Sequence, residues 1–244
     1  MTRRAGILGM ALSAVLGASP AGADTAKQPP GNPCGKGNGN PCGGNNGNSG
    51  AQGNASHGTP GPLPIEAPAF EGRGAYITQI GDANVAVVRQ TANQARADVV
   101  QRGHSNRASV LQGGGRGYTS LTQTGEANHA AVSQAGLGSG TLYLTQVGTS
   151  NQANVSQTTS GSLYNGAALT QSGIGNTLAL VQSGSDNRAV LSQQGDGNQM
   201  SAVQNGAGNR LAWTQIGDDL SDLTIVQNGG SAKGGQMSIT QTRQ

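Results

Sequence analysis

The chain predicts an all-β fold: a β-solenoid of about seven strand-turn-strand rungs, its two facing parallel sheets stacked in an amyloid-like way, after a disordered N-terminal region. Three observations carry this. From residue 79 onward glutamine recurs at a spacing of 11 residues. Apolar residues stand two and four positions before nearly every one of those glutamines. Gly-x-x-Asn separates many of the units. A fixed short period is the sequence mark of a repeat architecture.

The glutamines are Gln79, Gln90, Gln101, Gln112, Gln123, Gln134, Gln146, Gln157, Gln171, Gln182, Gln193, Gln204, Gln215, Gln227 and Gln241. Ten of the fourteen steps are 11 residues; the others are 12 or 14, and their extra residues can fall in turns. Two positions before each glutamine the residue is always apolar, as in Ile77, Val99, Leu121, Leu169 and Trp213. Four positions before, only Thr119 breaks the apolar series. A period of two reads as a strand with one buried face. The same parity puts glutamine on the inner face. A lone buried amide costs a few kcal/mol if unpaired. A column of identical amides removes that cost, because each side chain bonds its copies in the rungs above and below.

The turn motif recurs as Gly81/Asn84, Gly103/Asn106, Gly125/Asn128, Gly148/Asn151, Gly173/Asn176, Gly184/Asn187, Gly195/Asn198 and Gly206/Asn209. Glycine supplies the positive φ of a tight reversal. Each asparagine lies six residues before the next glutamine, on inward parity, placed to bond turn backbone and stack on its equivalents. The other turns are less regular, so a rung is two strands and two turns. The rungs are 75–94, 95–116, 117–138, 139–160, 161–186, 187–209 and 210–230, with a half rung over 231–244. At ~4.8 Å per rung this body is roughly 34 Å long. Asp218-Asp219-Leu220 stands where Gly-x-x-Asn should continue, which predicts a looser turn in rung seven.

Composition agrees with a thin, distributed core. Hydrophobic residues are 34% and charged residues 10% of the chain, with 42 glycines. Globular domains run at ~45–50% and ~25%. Six aromatic residues cannot fill a thick core: Phe70, Tyr76, Tyr118, Tyr143, Tyr164 and Trp213. The formal charge of +3 falls to +1 without Arg3 and Arg4, leaving 12 basic and 11 acidic residues. That balance gives no basic patch for nucleic acid and little self-repulsion between chains.

Residues 1–23 read as a signal peptide. Arg3 and Arg4 form the basic start, Ala5 to Leu16 the apolar run, and Ala21-Gly22-Ala23 the cleavage pattern. The run is too short for a membrane span, and no later segment is apolar enough to be one. Residues 24–74 read as a flexible Gly/Asn/Pro-rich export or linker segment. It holds both cysteines, Cys34 and Cys42, in a duplicated Gly-Asn-Pro-Cys-Gly. Outside the cytoplasm a small disulfide loop is the default; an intermolecular disulfide is the alternative.

The pattern Gln-x-Gly-x-x-Asn-x-Ala-x-x-x-Gln resembles the repeat of the curlin family, the subunits of curli fibres. It is clearest at Gln79–Gln90, Gln101–Gln112, Gln123–Gln134 and Gln146–Gln157. The likeness covers about two thirds of the chain. It implies secretion through a dedicated outer-membrane pore with accessory factors, assembly with copies of itself and other curlin subunits, and an extracellular fibre serving biofilm matrix and adhesion. The chain departs from the family pattern in its seven rungs, its cysteine pair and the irregular serine at the start of each repeat. The ending Gln236–Gln244 resembles the tail of the minor, nucleating subunit.

Three functional classes therefore compete. A polymerising fibre subunit fits the unbroken register and the lack of a capping helix. On that reading Asp82, Arg89, Arg96, Asp98, Arg102, Arg107, Glu126, Arg188 and Asp196, in turns or on outward parity, act as gatekeepers against early aggregation. A monomeric surface-binding solenoid, adhesin or ice-binding, would use the outward Thr78, Thr122, Thr145, Thr170, Thr214 and Thr240. A β-helical enzyme is poorly supported: His57, His104 and His129 are isolated, and no carboxylate pair recurs at a converging place. No catalytic residue, cofactor or metal ligand is expected.

Overall fold

The computed structural model describes residues 65–220, 223–230 and 234–243. The signal-peptide reading and Cys34 and Cys42 lie outside the described residues. Eight strands build one sheet, here sheet A: β1 (Arg73–Ile80), β3 (Ala95–His104), β5 (Gly117–Glu126), β7 (Gly140–Thr149), β9 (Asn165–Ile174), β11 (Arg188–Gln194), β13 (Arg210–Ile216) and β15 (Gln236–Thr242). Seven build sheet B: β2 (Val85–Gln90), β4 (Arg107–Gln112), β6 (His129–Gly136), β8 (Gln152–Thr159), β10 (Thr177–Ser185), β12 (Gln199–Ala207) and β14 (Leu223–Asn228). Every pairing is parallel, and each strand joins the one two places on in the chain. The chain therefore coils through A, B, A, B, one rung at a time, as a β-solenoid.

The register is the one the glutamine period predicts. Gln79 faces Gln101, Gln123 faces Gln146, and Gln182 faces Gln204. The longer steps are absorbed in turns, as between β6 and β7 or β8 and β9, so the ladders never slip. A slip of one residue would turn every buried side chain outward.

Inner residues of the two sheets form one core strip: Ala97, Val99, Leu121, Leu142, Leu144, Leu169, Leu178, Leu180, Leu191, Leu211 and Trp213 among them. Small residues such as Ala108, Ala130, Ala153 and Ala189 let the sheets approach, which is why so few aromatic side chains suffice. Among the described residues Trp213 is the one aromatic ring in this core strip, and it is fully buried.

By composition the flexible segment extends to residue 74. In the structure β1 begins at Arg73, and residues 65–72 lie along the outer face of sheet A. Ile65 is buried over Gly166 of β9, where a side chain would meet it at 3.1 Å. The Tyr143 hydroxyl donates to the Glu66 carbonyl at 2.8 Å, and Arg116 Nη2 donates to the Phe70 carbonyl at 2.7 Å. Phe70 stacks obliquely on Tyr118 at 6.1 Å, and Tyr118 meets Tyr143 edge-on at 5.5 Å. These few apolar and aromatic groups dock a short strap onto an otherwise polar flank.

Candidate assembly interface

The turn after each sheet A strand sets up the polar columns. Gly81, Gly103, Gly125, Gly148, Gly173, Gly195 and Gly217 have φ between 101° and 122°. They also sit in close file along the axis. A Cβ on Gly125 would lie 2.1 Å from the Gly148 carbonyl oxygen. Glycine is thus required twice, by backbone and by the rung above. Just before the asparagine, or before Leu220 in its place, comes a second left-handed residue, Ala83, Ser105, Ala127, Ser150, Gly175, Gly197 or Asp219, at φ 49° to 67°. The turn of Asp218-Asp219-Leu220 is not looser, contrary to expectation. Gly217 and Asp219 keep both positive φ values, the Asp219 amide donates to the Asp196 carbonyl at 2.8 Å, and the Leu220 amide donates to Asn198 Oδ1 at 3.0 Å. Backbone geometry there does not depend on the missing asparagine.

Asn84, Asn106, Asn128, Asn151, Asn176 and Asn198 form one column. Each Oδ1 accepts the backbone amide of its neighbour one rung on, at 3.0 to 3.1 Å. Each Nδ2 donates to a turn carbonyl, as Asn128 does to Gly148 at 2.9 Å. In the other turn Asn187 and Asn209 join a member that the Gly-x-x-Asn spacing misses, Asn165, whose Oδ1 accepts the Asn187 amide at 3.1 Å. Asn165 follows Gly161 by four residues instead of three. It obeys the other rule, lying six residues before Gln171, and that signal finds it.

The glutamines form two ladders. In sheet A the Nε2 donates up the series Gln79, Gln101, Gln123, Gln146, Gln171, Gln193, Gln215, Gln241, each step to the next Oε1 at 2.7 to 2.9 Å. In sheet B the series is Gln90, Gln112, Gln134, Gln157, Gln182, Gln204, Gln227, at 2.7 to 2.9 Å. All fifteen predicted glutamines are brought together. From Gln101 to Gln227 they are buried. The second Nε2 hydrogen crosses the core to a backbone carbonyl of the facing sheet, as from Gln123 to Arg107 and from Gln134 to Tyr118, both at 3.1 Å. Both donors and an acceptor of each amide are thereby used, so the buried glutamines carry no desolvation penalty for an idle group.

The ladders have a direction. Every glutamine–glutamine bond points from Nε2 toward the higher rung, whereas the asparagine oxygens receive donors from it. At the β1–β2 end the Gln79 and Gln90 Oε1 atoms accept no bond among the described residues. At the β14–β15 end Gln241 makes no donated bond among them, and Gln227 Nε2 turns to the Gly235 carbonyl at 3.2 Å. Inner-face residues lose their cover at both ends: Ile77 is 45%, Leu223 40% and Met237 39% exposed, while Val99 and Leu211 are 1% exposed.

Charged side chains stand outside these columns. Arg96 pairs with Asp98 at 3.0 Å, lies 4.8 Å over the Tyr76 ring, and has its pKa raised by the Asp98 hydrogen bond. Burial, and next Asp98, push the Tyr118 phenol above its ordinary value; burial does the same at Tyr143. The six outward threonines form an interrupted file on sheet A. No protein-family model, curated protein or solved structure matches this chain.

Proposed function

We propose that this chain is a secreted structural subunit that stacks into extracellular amyloid fibres of the curlin type, serving biofilm matrix and surface adhesion. The observation that carries the reading is the pair of directional glutamine ladders, with unused Oε1 acceptors on Gln79 and Gln90 at one end and an unused Nε2 donor on Gln241 at the other among the described residues. A globular monomer covers its sheet edges. Here both end strands leave backbone groups and inner apolar side chains uncovered among the described residues. Another copy offers the matching register, so the natural partner is the chain itself, with other curlin subunits and the family's export pore as further partners. The nucleating subunit is a variant of the same reading. The test is dilution from denaturant, followed by dye binding and electron microscopy. Unbranched fibres that seed fresh protein are expected; a lasting monomer would overturn the reading.

A second reading, a monomeric surface-binding solenoid, draws on the file of Thr122, Thr145 and Thr170 in adjacent sheet A strands. It predicts a stable monomer whose ligand binding falls on Thr145→Val.

A further inference from the structure

Among the described residues sheet A has eight strands and sheet B seven, so one end of the described body finishes on a half rung: β15 stands one strand beyond β14. The other end is even, with β1 and β2 as the outermost strands of their sheets. Two modes of end-to-end stacking are open to a second copy. Without rotation, β1 of the second copy pairs with β15, and its β2 then faces β14 across a missing strand, about 9.6 Å away instead of ~4.8 Å. The β14 edge from Leu223 to Asn228 would stay unpaired inside the fibre, a costly place for idle backbone groups. With a half turn about the axis, β1 of the second copy pairs with β14 and completes the half rung, and its β2 pairs with β15.

We infer that successive copies of this chain stack with a half-turn rotation, sheet A of one continuing into sheet B of the next. The inference rests on the fibre reading above and adds the geometry of the junction. Strand directions allow it, because the chain runs one way in sheet A and back in sheet B, and a half turn exchanges the two. The side chains fit as well. Aligning Gln79 of the second copy with Gln227 sets Ile77 on Ile225 and Ala75 on Leu223. Aligning Gln90 with Gln241 sets Val88 on Ile239 and Ala86 on Met237. The exposed Ile77, Leu223 and Met237 are then covered. The free Oε1 of Gln90 meets the unused Nε2 donor of Gln241, in the sense every internal ladder bond already has, and the Oε1 of Gln79 meets Gln227 Nε2, which gives up its 3.2 Å bond to the Gly235 carbonyl. The strap does not obstruct the junction, since residues 72 to 65 lead away from the β1 end toward β9.

The rise per subunit is then seven and a half rungs, about 36 Å, and the strap flank returns to the same side every ~72 Å. Cross-linking tests this directly. Both native cysteines are replaced by serine, and two pairs of outward cysteines are compared: Thr78→Cys with Val226→Cys, and Thr78→Cys with Thr240→Cys. Fibres are treated with a short bismaleimide and run on a denaturing gel. The half turn puts residue 78 of one copy beside residue 226 of the next, so the first pair gives a covalent ladder and the second stays monomeric. A ladder from the second pair alone, or fibres that cross-link with neither, overturns the half turn and leaves the fibre reading intact. Absence of fibres from all variants and from the unaltered chain overturns the fibre reading, and the junction falls with it.

Discussion

Gln123 donates from Nε2 to Gln146 Oε1 at 2.8 Å, one rung on, and from the same nitrogen to the Arg107 carbonyl across the core at 3.1 Å. One side chain thus ties two rungs and two sheets together. Gln123→Leu leaves Gln146 Oε1, the Arg107 carbonyl and one Gln101 hydrogen without their partner. Each buried group left idle costs about 1–3 kcal/mol. The urea midpoint should fall sharply and the assembly lag lengthen, whereas outward Thr122→Ser stays within about 0.5 kcal/mol. Equal effects from the two substitutions would contradict the ladder.

Gly125→Ala and Gly161→Ala separate backbone strain from crowding. Both residues have positive φ, 114° and 86°. Only Gly125 has the next rung's carbonyl 2.1 Å from the added Cβ; Gly161 has nothing within 4 Å. Strain alone costs roughly 1–3 kcal/mol. Circular dichroism on thermal melting should show Gly161→Ala losing about that much and Gly125→Ala losing more, with the β signal weakened.

The strap is held by an aromatic and cationic cluster. Phe70→Ala removes the ring that Tyr118 and Arg116 contact at 6.1 Å and 4.3 Å. Protease cleavage within residues 65–72 should accelerate several-fold while the rungs stay resistant. Cleavage spreading equally into the rungs would show that the strap is not a separate unit.

Alkaline titration reads the same flank. Burial, then Asp98, raises the Tyr118 pKa, and burial raises that of Tyr143, so folding favours the neutral phenols. Their contribution to stability is complete below the unfolded phenol value of about 10 and is lost as pH rises through the folded values. Difference absorbance should show two phenols titrating late in the folded chain, and only at the ordinary value in urea.

Peptides covering the first four rungs should differ in lag time. The rung of residues 95–116 carries Arg96, Asp98, Arg102, Arg107 and Arg116 and should assemble slowest. Its being fastest would contradict the gatekeeper role of those charges.

Strand number, register and the buried glutamines were legible in the sequence because one constraint, a period of two within a period of 11, acts on every rung. What escaped is what that period does not encode. The second glutamine hydrogen bond, from Gln134 to the Tyr118 carbonyl, depends on the distance between the sheets. Asn165 hid behind one inserted residue. The Asp218–Leu220 turn looks irregular by residue type, yet it is held to the rung below by the Asp219 amide on the Asp196 carbonyl and the Leu220 amide on Asn198 Oδ1, neither of which needs an asparagine at position 220. The strap depends on single contacts of Ile65 and Phe70, which no repeat announces.

Fibre diffraction from aligned assemblies of the chain tests the central claim most directly. Stacked rungs predict a meridional reflection at ~4.7–4.8 Å and an equatorial one near ~10 Å. A clear solution of monomers, or aligned material lacking the meridional reflection, would contradict the proposal that the open ladders drive assembly.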